Sequence, residues 1–95
     1  MLVLRPTCEH CNTALPADST AAMICGFECT FCRDCVERLD NVCPNCGGGF
    51  APRPIRPAAM RAKYPPSTEV VHKPVDLEAH AARAEQLRGI PPERR

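Results

Sequence analysis

A small α+β domain that depends on cross-links or bound metal, followed by a proline-rich tail, is the fold class that the sequence predicts. Eight of the 95 residues are cysteine, and all eight lie within residues 1–50. Aromatic residues make up 4% of the chain and tryptophan is absent, so the apolar core is too small to hold a fold by itself. Eight of the eleven prolines lie in residues 51–95, where they disfavour regular packed structure.

The composition divides the chain near residue 51 into a head (residues 1–50) and a tail (residues 51–95). The head has three basic and six acidic side chains, a formal charge of −3, and the tail has nine and five, a charge of +4. Within the tail, we predict a disordered Pro/Arg-rich linker at 51–74 and a terminal segment at 75–95. That segment contains a predicted helix at 76–88, because Asp76 can cap its start and Gly89 can end it.

Short elements are predicted in the head. Residues 22–24 and 28–31 have the pattern of two strands joined by a tight turn. Residues 33–40 are predicted to form a short helix with Val36 and Leu39 facing inward. A cysteine-bearing turn, a hairpin and then a helix with two further cysteines is the order of a treble clef.

The cysteines form four close pairs, and each pair can place two thiolates on one metal ion. Two or three residues separate the members of each pair, which are Cys8/Cys11, Cys25/Cys29, Cys32/Cys35 and Cys43/Cys46. Tetrahedral zinc takes four thiolates at about 2.3 Å, so eight cysteines can form two closed, structural Zn²⁺ sites. Disulfides would require an oxidising compartment, and the spacing differs from the usual ferredoxin run of an iron–sulfur protein. Spacing alone leaves three ways of sharing two ions open. Sequential pairing joins the first cysteine pair with the second, interleaved pairing joins the first with the third, and nested pairing joins the second with the third.

The order of the spacings resembles that of the RING finger: C-x2-C, a longer loop, C-x3-C-x2-C-x2-C, a gap and C-P-x-C. This resemblance implies the interleaved pairing known as the cross-brace, in which alternate pairs share one ion. Cys29 stands where most RING fingers have histidine. The implied ligand sets are Cys8, Cys11, Cys32 and Cys35 for the first site, and Cys25, Cys29, Cys43 and Cys46 for the second.

Longer strings in the head resemble the bacterial family called domain of unknown function 1272. The strings are Met1–Pro6, Leu15–Ser19, Ile24–Cys32 and Val42–Gly48. The resemblance covers about residues 1–57 and implies a bacterial setting. It brings no activity with it.

We expect a non-enzymatic zinc-binding module that serves as a protein-interaction scaffold. Closed thiolate sites leave no open position for a substrate. RING-type transfer of ubiquitin-like proteins is disfavoured, since His10 and Gly47 stand where RING ligases usually have an aliphatic and a basic residue. His10 itself is predicted to be an exposed turn residue. The candidate contact surface for a basic protein partner is Glu28, Asp34, Glu37 and Asp40.

Nucleic-acid binding through the basic tail is the alternative function. Four cations lie within eleven residues that contain no acidic side chain, and such a cluster can contact phosphates. Tyr64 is the only aromatic residue of the tail, so there is no platform on which bases could stack. The candidate phosphate contacts are Arg53, Arg56, Arg61 and Lys63.

The sequence predicts neither a membrane partner nor secretion. No apolar run approaches the roughly 20 residues of a membrane span. The first residues lack the apolar stretch of a signal peptide. We therefore expect a cytoplasmic location, where cysteine thiols stay reduced and available to metal.

Overall fold

One three-stranded antiparallel sheet organises the head. A computed structural model of the chain describes residues 1–95. Its strands are β1 (Ala22–Ile24), β2 (Thr30–Cys32) and β3 (Ala51–Pro52), arranged in the order β2-β1-β3. The β1–β2 pair forms the predicted hairpin, and β3 pairs with the other edge of β1. Because β3 comes from the tail, the folded unit continues past residue 50.

Helix α1 (Arg33–Arg38) follows β2 directly, with Cys32 as its N-cap residue. Asp34 in its first turn and a basic residue in its last turn match the helix dipole. The chain leaves the helix through Asp40 and Asn41, which both adopt left-handed backbone angles, with φ of 54° and 56°. Asp and Asn tolerate this conformation better than most residues. The helix is therefore two residues shorter than predicted.

The core lies between the sheet and α1, and cysteine side chains belong to it. Phe31 is 1% exposed, and its ring meets that of Phe50 edge-on, with centroids 5.4 Å apart. Val36 and Leu39 are buried, as predicted. Nine buried residues form one cluster, namely Cys8, Leu15, Ala22, Met23, Phe31, Cys32, Cys35, Val36 and Leu39. Three of these nine core residues, Cys8, Cys32 and Cys35, are therefore also predicted metal ligands.

The tail contains three short helical segments. They are α2 (Ala58–Arg61), α3 (Leu77–Leu87) and a 3-10 turn (Pro92–Arg94). The Asp76 carboxylate accepts two backbone N–H groups of the first turn of α3, both at 3.1 Å, which is the predicted N-cap. No helix combines the length and apolar character needed to cross a lipid bilayer, and the longest, α3, has 11 residues.

Residues 51–74, the predicted Pro/Arg-rich linker, make backbone hydrogen bonds to the head. The Ser67 N–H donates to the Leu4 carbonyl at 3.0 Å, and the Lys73 N–H donates to the Glu9 carbonyl at 2.8 Å. The segment therefore runs along the head. Its order needs no apolar core of its own, because the head offers backbone carbonyls as hydrogen-bond acceptors.

Candidate metal centre

Four cysteine side chains meet between the first turn of the head and the start of α1. The Sγ atoms of Cys8, Cys11, Cys32 and Cys35 all lie within 4.8 Å of one another. The Sγ atoms of Cys11 and Cys32 are 3.8 Å apart. Four sulfurs at about 2.3 Å from a tetrahedral zinc ion would be separated by about 3.8 Å, so this donor set fits such an ion. We call these four residues the first cluster.

The turn that carries Cys8 lacks the glycine and proline that often shape such turns, and hydrogen bonds hold it instead. Within the turn, the Cys8 N–H donates to the Thr13 carbonyl at 2.9 Å. Asn12 adopts a left-handed φ of 62°. Glu9 fastens the turn to β2: its N–H donates to the Thr30 carbonyl at 3.0 Å, and its carboxylate accepts the Thr30 N–H at 2.6 Å. Sequence reasoning missed Glu9, which is 5% exposed.

The other two sulfurs of the first cluster come from the junction of β2 and α1. Cys32 ends the strand in an extended conformation, with φ −78° and ψ 160°, and caps the helix. Cys35 lies three residues later, in the helix, so one helical turn brings its side chain to the same side as that of Cys32. Residues on both sides of this junction belong to the buried core cluster.

Electrostatics in the first cluster favour a bound cation. Burial, together with the neighbouring sulfurs, raises the pKa of Cys32 and of Cys35. Partial burial also opposes ionisation of Cys11, but hydrogen bonds from Thr13 outweigh it and lower the pKa of Cys11 to about 6. The Sγ of Cys11 lies 3.0 Å from Thr13 Oγ1. Adjacent thiolates repel one another, so a divalent ion is what allows all four thiols to ionise together.

Three of the four residues predicted for the second site also come together. The Sγ atoms of Cys25, Cys43 and Cys46 lie within 4.8 Å of one another, and Cys29 falls outside this group. Cys29 is nevertheless adjacent: the Asn45 side-chain amide donates to its Sγ at 3.3 Å. Burial is the main cause that raises the pKa of the Cys43 thiol, and the negative charges of Cys29 and Cys25 raise it further. We call all four cysteines the second cluster.

Backbone N–H groups point at sulfurs of the second cluster. The Phe27 N–H donates to Cys25 Sγ at 3.3 Å, and the Gly48 N–H donates to Cys46 Sγ at 3.4 Å. Gly47 has a φ of 78°, a left-handed conformation that glycine adopts without steric cost. Such donors offset part of the negative charge of thiolates. The sequence C-P-N-C-G thus folds into a turn that presents two sulfurs to one point.

The clusters alternate along the chain. The first and third cysteine pairs share one cluster, and the other contains the fourth pair and Cys25, with Cys29 beside them. Of the three pairings that spacing left open, the sulfur positions correspond to the interleaved one. The structure thus contains two cysteine clusters that could bind metal, while the ligand assignments and the identity of the metal stay predictions.

The candidate phosphate contacts are largely occupied within the protein. Arg53 is 4% exposed, and its guanidinium donates to three backbone carbonyls at 2.9 to 3.1 Å. Arg56 donates to three carbonyls at 2.7, 2.9 and 3.5 Å, and Arg61 donates to the carbonyl of Arg56 at 2.8 Å. Lys63 Nζ lies 5.5 Å from the centre of the Tyr64 ring. Arg53 in particular has no accessible face to offer a phosphate.

The acidic side chains predicted to form a contact surface differ in their surroundings. Asp34 and Glu37 are exposed on α1, and Glu28 is half-buried in a turn with a left-handed φ of 63°. Asp40 lies 3.7 Å from a guanidinium nitrogen of Arg88, so the tail neutralises part of its charge. The free acidic surface is therefore centred on α1.

Two histidines join the tail to the head, and neither contact was predicted. The His10 Nδ1 accepts the Val75 N–H at 2.9 Å, so His10 is half-buried and not the exposed turn residue expected. His80 is 6% exposed, and its Nε2–H donates to the Val42 carbonyl at 2.8 Å. His80 precedes the buried Ala84 by four residues, so helical periodicity could have indicated a shared face.

Comparison with known proteins places the head in a family. The family described as "Protein of unknown function (DUF1272)" matches residues 1–56, which include all eight cysteines. The chain belongs to this family. The resemblance seen in the sequence is thereby confirmed over almost the same range.

A relative extends the similarity into the tail. "Uncharacterized protein R02474" of Rhizobium meliloti (strain 1021) is 60% identical over 75 residues, which cover 78% of this chain and 89% of the relative. The aligned length exceeds that of the family region, so part of the tail is included. No solved structure matches the chain.

Proposed function

We propose that this protein is a non-enzymatic zinc-binding module whose two Zn²⁺ ions are structural. The observation that supports it is the grouping of the sulfurs, four in the first cluster and three with Cys29 beside them in the second. Sets of four thiolates are typical of zinc ligation. The filled d shell of Zn²⁺ imposes no coordination geometry, so the ion accepts a tetrahedral arrangement of sulfurs. Cys29 completes the second set in this proposal.

We further propose that the head is a treble-clef fold of the RING-like, cross-braced type. A cysteine turn, the β1–β2 hairpin and α1 follow one another in the expected order. The alternation of the two clusters along the chain supports the cross-brace. Each ion would then join segments that are distant in sequence, which suits a fold with little apolar core.

Burial supports a structural role for the metal. Cys8, Cys35 and Cys43 are at most 1% exposed, so a bound ion would be closed off from substrates on these sides. A structural zinc ion contributes about 10–16 kcal/mol to folding in small zinc domains. The proposed biological role is therefore that of a rigid scaffold for a protein partner, in the reducing cytoplasm.

Charge indicates the chemistry of that partner. Zinc with four thiolates carries a net charge of −2, so two such sites would lower the head from −3 to −7. Asp34 and Glu37 extend this charge onto the exposed face of α1. We propose a basic protein partner that contacts this face, since complementary potentials steer association.

Metal content and pairing are tested on the full chain. Native mass spectrometry under reducing conditions should show two zinc ions, and Cys32→Ser should reduce that number. After cadmium substitution, NMR couplings between each cadmium ion and cysteine β-protons identify its ligands directly. Coupling of one ion to both Cys11 and Cys25 would refute the interleaved pairing. An iron–sulfur absorption band in the purified protein would refute zinc.

The partner surface is tested by charge reversal. A partner isolated from the native host with the wild-type chain should bind Glu37→Lys weakly. Glu85→Lys, an exposed change on α3, is the matched control and should bind normally. Equal binding by both variants would remove the acidic surface from the proposal.

Nucleic-acid binding through the tail is the second candidate, and the burial of Arg53 counts against it. Lys63 is still exposed, and Arg61 is half-buried. Salt-dependent association with RNA or DNA, weakened by Arg61→Gln, would favour this candidate over the first.

A further inference from the structure

The end of the tail packs directly on the glycines that follow Cys46. A Cβ atom added at Gly47 would lie 3.0 Å from the side chains of both Arg83 and Leu87. A Cβ atom at Gly49 would lie 2.6 Å from the side chain of Pro92. Real Cβ atoms do not approach other atoms as closely as 2.6 Å, so the 3-10 turn is seated where a side chain at position 49 would clash, and α3 leaves little room for one at position 47.

Hydrogen bonds from the same segment surround the turn that carries Cys43 and Cys46. We call residues 77–95 the clasp. Ala84 in the clasp is 1% exposed. Four hydrogen bonds run from side-chain nitrogens of the clasp to backbone carbonyls of the head. They join His80 to Val42 (2.8 Å), Arg83 to Pro44 (3.0 Å), and Arg95 to Asn41 (2.8 Å) and Gly47 (3.3 Å).

The charges of the clasp complement those of a loaded second cluster. A zinc ion with four thiolates carries −2, and the guanidinium groups of Arg83 and Arg95 lie at the rim of the turn that supplies two of those thiolates. Attraction between them stabilises the closed clasp when the metal is bound. Coupling of this kind is reciprocal, so the closed clasp must also stabilise the bound metal.

The first cluster is placed differently. Cys11 is exposed, and no hydrogen bond joins the clasp to any residue of the first cluster. Of the two clusters, the clasp therefore contacts only the turn of the second, in which Cys25 and Cys43 are buried and Cys29 and Cys46 are half-buried.

We propose that the clasp gates the exchange of the metal ion in the second cluster. When the clasp is seated, that ion is retained, and when the clasp lifts, a chelator or an acceptor thiol reaches it. The inference rests on the proposed function, since it requires zinc in the second cluster.

The test uses two substitutions of the same kind in the full, zinc-loaded chain. Ala84→Glu places a carboxylate in the buried contact, whereas Ala81→Glu places it on the exposed face of the same helix. Zinc transfer to the chromogenic chelator pyridylazo resorcinol gives the rate for each ion. In Ala84→Glu, one of the two ions should leave about 5- to 150-fold faster, the range of typical couplings between sites. Both ions should leave Ala81→Glu at wild-type rates.

A second, milder variant keeps the proposal testable if Ala84→Glu does not fold. Arg95→Gln removes one cation and four hydrogen bonds, two to the head and two within the clasp, without steric conflict. It should accelerate loss of the same single ion and reduce the dependence of its rate on salt, because an attraction between charges is lost.

Hydrogen exchange of the α3 amides separates the possible failures. Faster exchange in Ala84→Glu with unchanged zinc release would overturn the gate, as would equal acceleration of both ions. A wild-type chain that holds no zinc would refute the proposed function. In that case, exchange protection of α3 would still report whether the clasp is seated.

Discussion

Replacing Arg53 with methionine should destabilise the protein strongly, although Arg53 lies in a segment that reads as a flexible linker. The guanidinium is buried, and it donates to the backbone carbonyls of Arg5 (2.9 Å), Leu15 (3.1 Å) and Pro16 (2.9 Å). Methionine fills much of the same volume but has no donor. The substitution thus isolates the hydrogen bonds from the packing.

The magnitude follows from which carbonyls lose their partner. Pro16 O also accepts the Ser19 N–H at 2.8 Å, so it keeps one hydrogen bond. The other two carbonyls, of Arg5 and Leu15, depend on Arg53. A buried polar group without a partner costs about 1–3 kcal/mol, which sets an upper limit of about 6 kcal/mol for two, since the Arg5 carbonyl is only part-buried. Burial lowers the pKa of Arg53, so removal of its charge offsets part of this loss, and we expect about 2–4 kcal/mol.

The assay is urea unfolding of the zinc-loaded chain followed by circular dichroism. A loss of about 2–4 kcal/mol is a large part of the 5–15 kcal/mol typical of whole domains. Arg38→Met, an exposed change on α1, is the control and should stay within about 0.5 kcal/mol. If Arg53→Met behaves like this control, the tail is not packed on the head, and the disordered linker predicted from the sequence is restored.

Three further predictions concern the metal sites. Removal of zinc with a chelator should unfold residues 1–50, seen as loss of NMR dispersion, and a native spectrum without metal would contradict a structural role. Zinc binding to the first cluster at pH 7 should release at least two protons, measured with an indicator dye. The reason is that the raised pKa values of Cys32 and Cys35 keep them protonated, whereas Cys11, with a pKa of about 6, is already ionised. The apparent affinity should therefore fall as the pH falls, and a pH-independent affinity would refute thiolate ligation. Gly47→Ala should lower stability by about 1–2 kcal/mol or more, because φ is 78° and the new methyl group meets the clasp. Gly26→Ala, which has open space around it, is the control in thermal unfolding.

The sequence by itself determined the local features of this protein. Only two or three residues separate the members of each cysteine pair, so the two sulfurs can converge whatever the rest of the chain does. The β1–β2 hairpin, α1 and the cap of α3 by Asp76 depend equally on neighbours in the sequence. Gly47 had to take a positive φ for the chain to leave its turn. These features follow from short-range sterics and hydrogen bonds, which are specified by residue type.

Only the tertiary structure decided how distant segments meet. Spacing allowed three pairings of the cysteines, and the fold brings the sulfurs of the first turn to those at the start of α1, where the four could share one ion. Arg53 and His80 are buried because they reach carbonyls of the head, and every residue of a chain carries a carbonyl. The residue types in the sequence therefore do not show which carbonyls will accept these hydrogen bonds. The tail looked like a linker for the same reason: its order comes from backbone acceptors that belong to another part of the molecule.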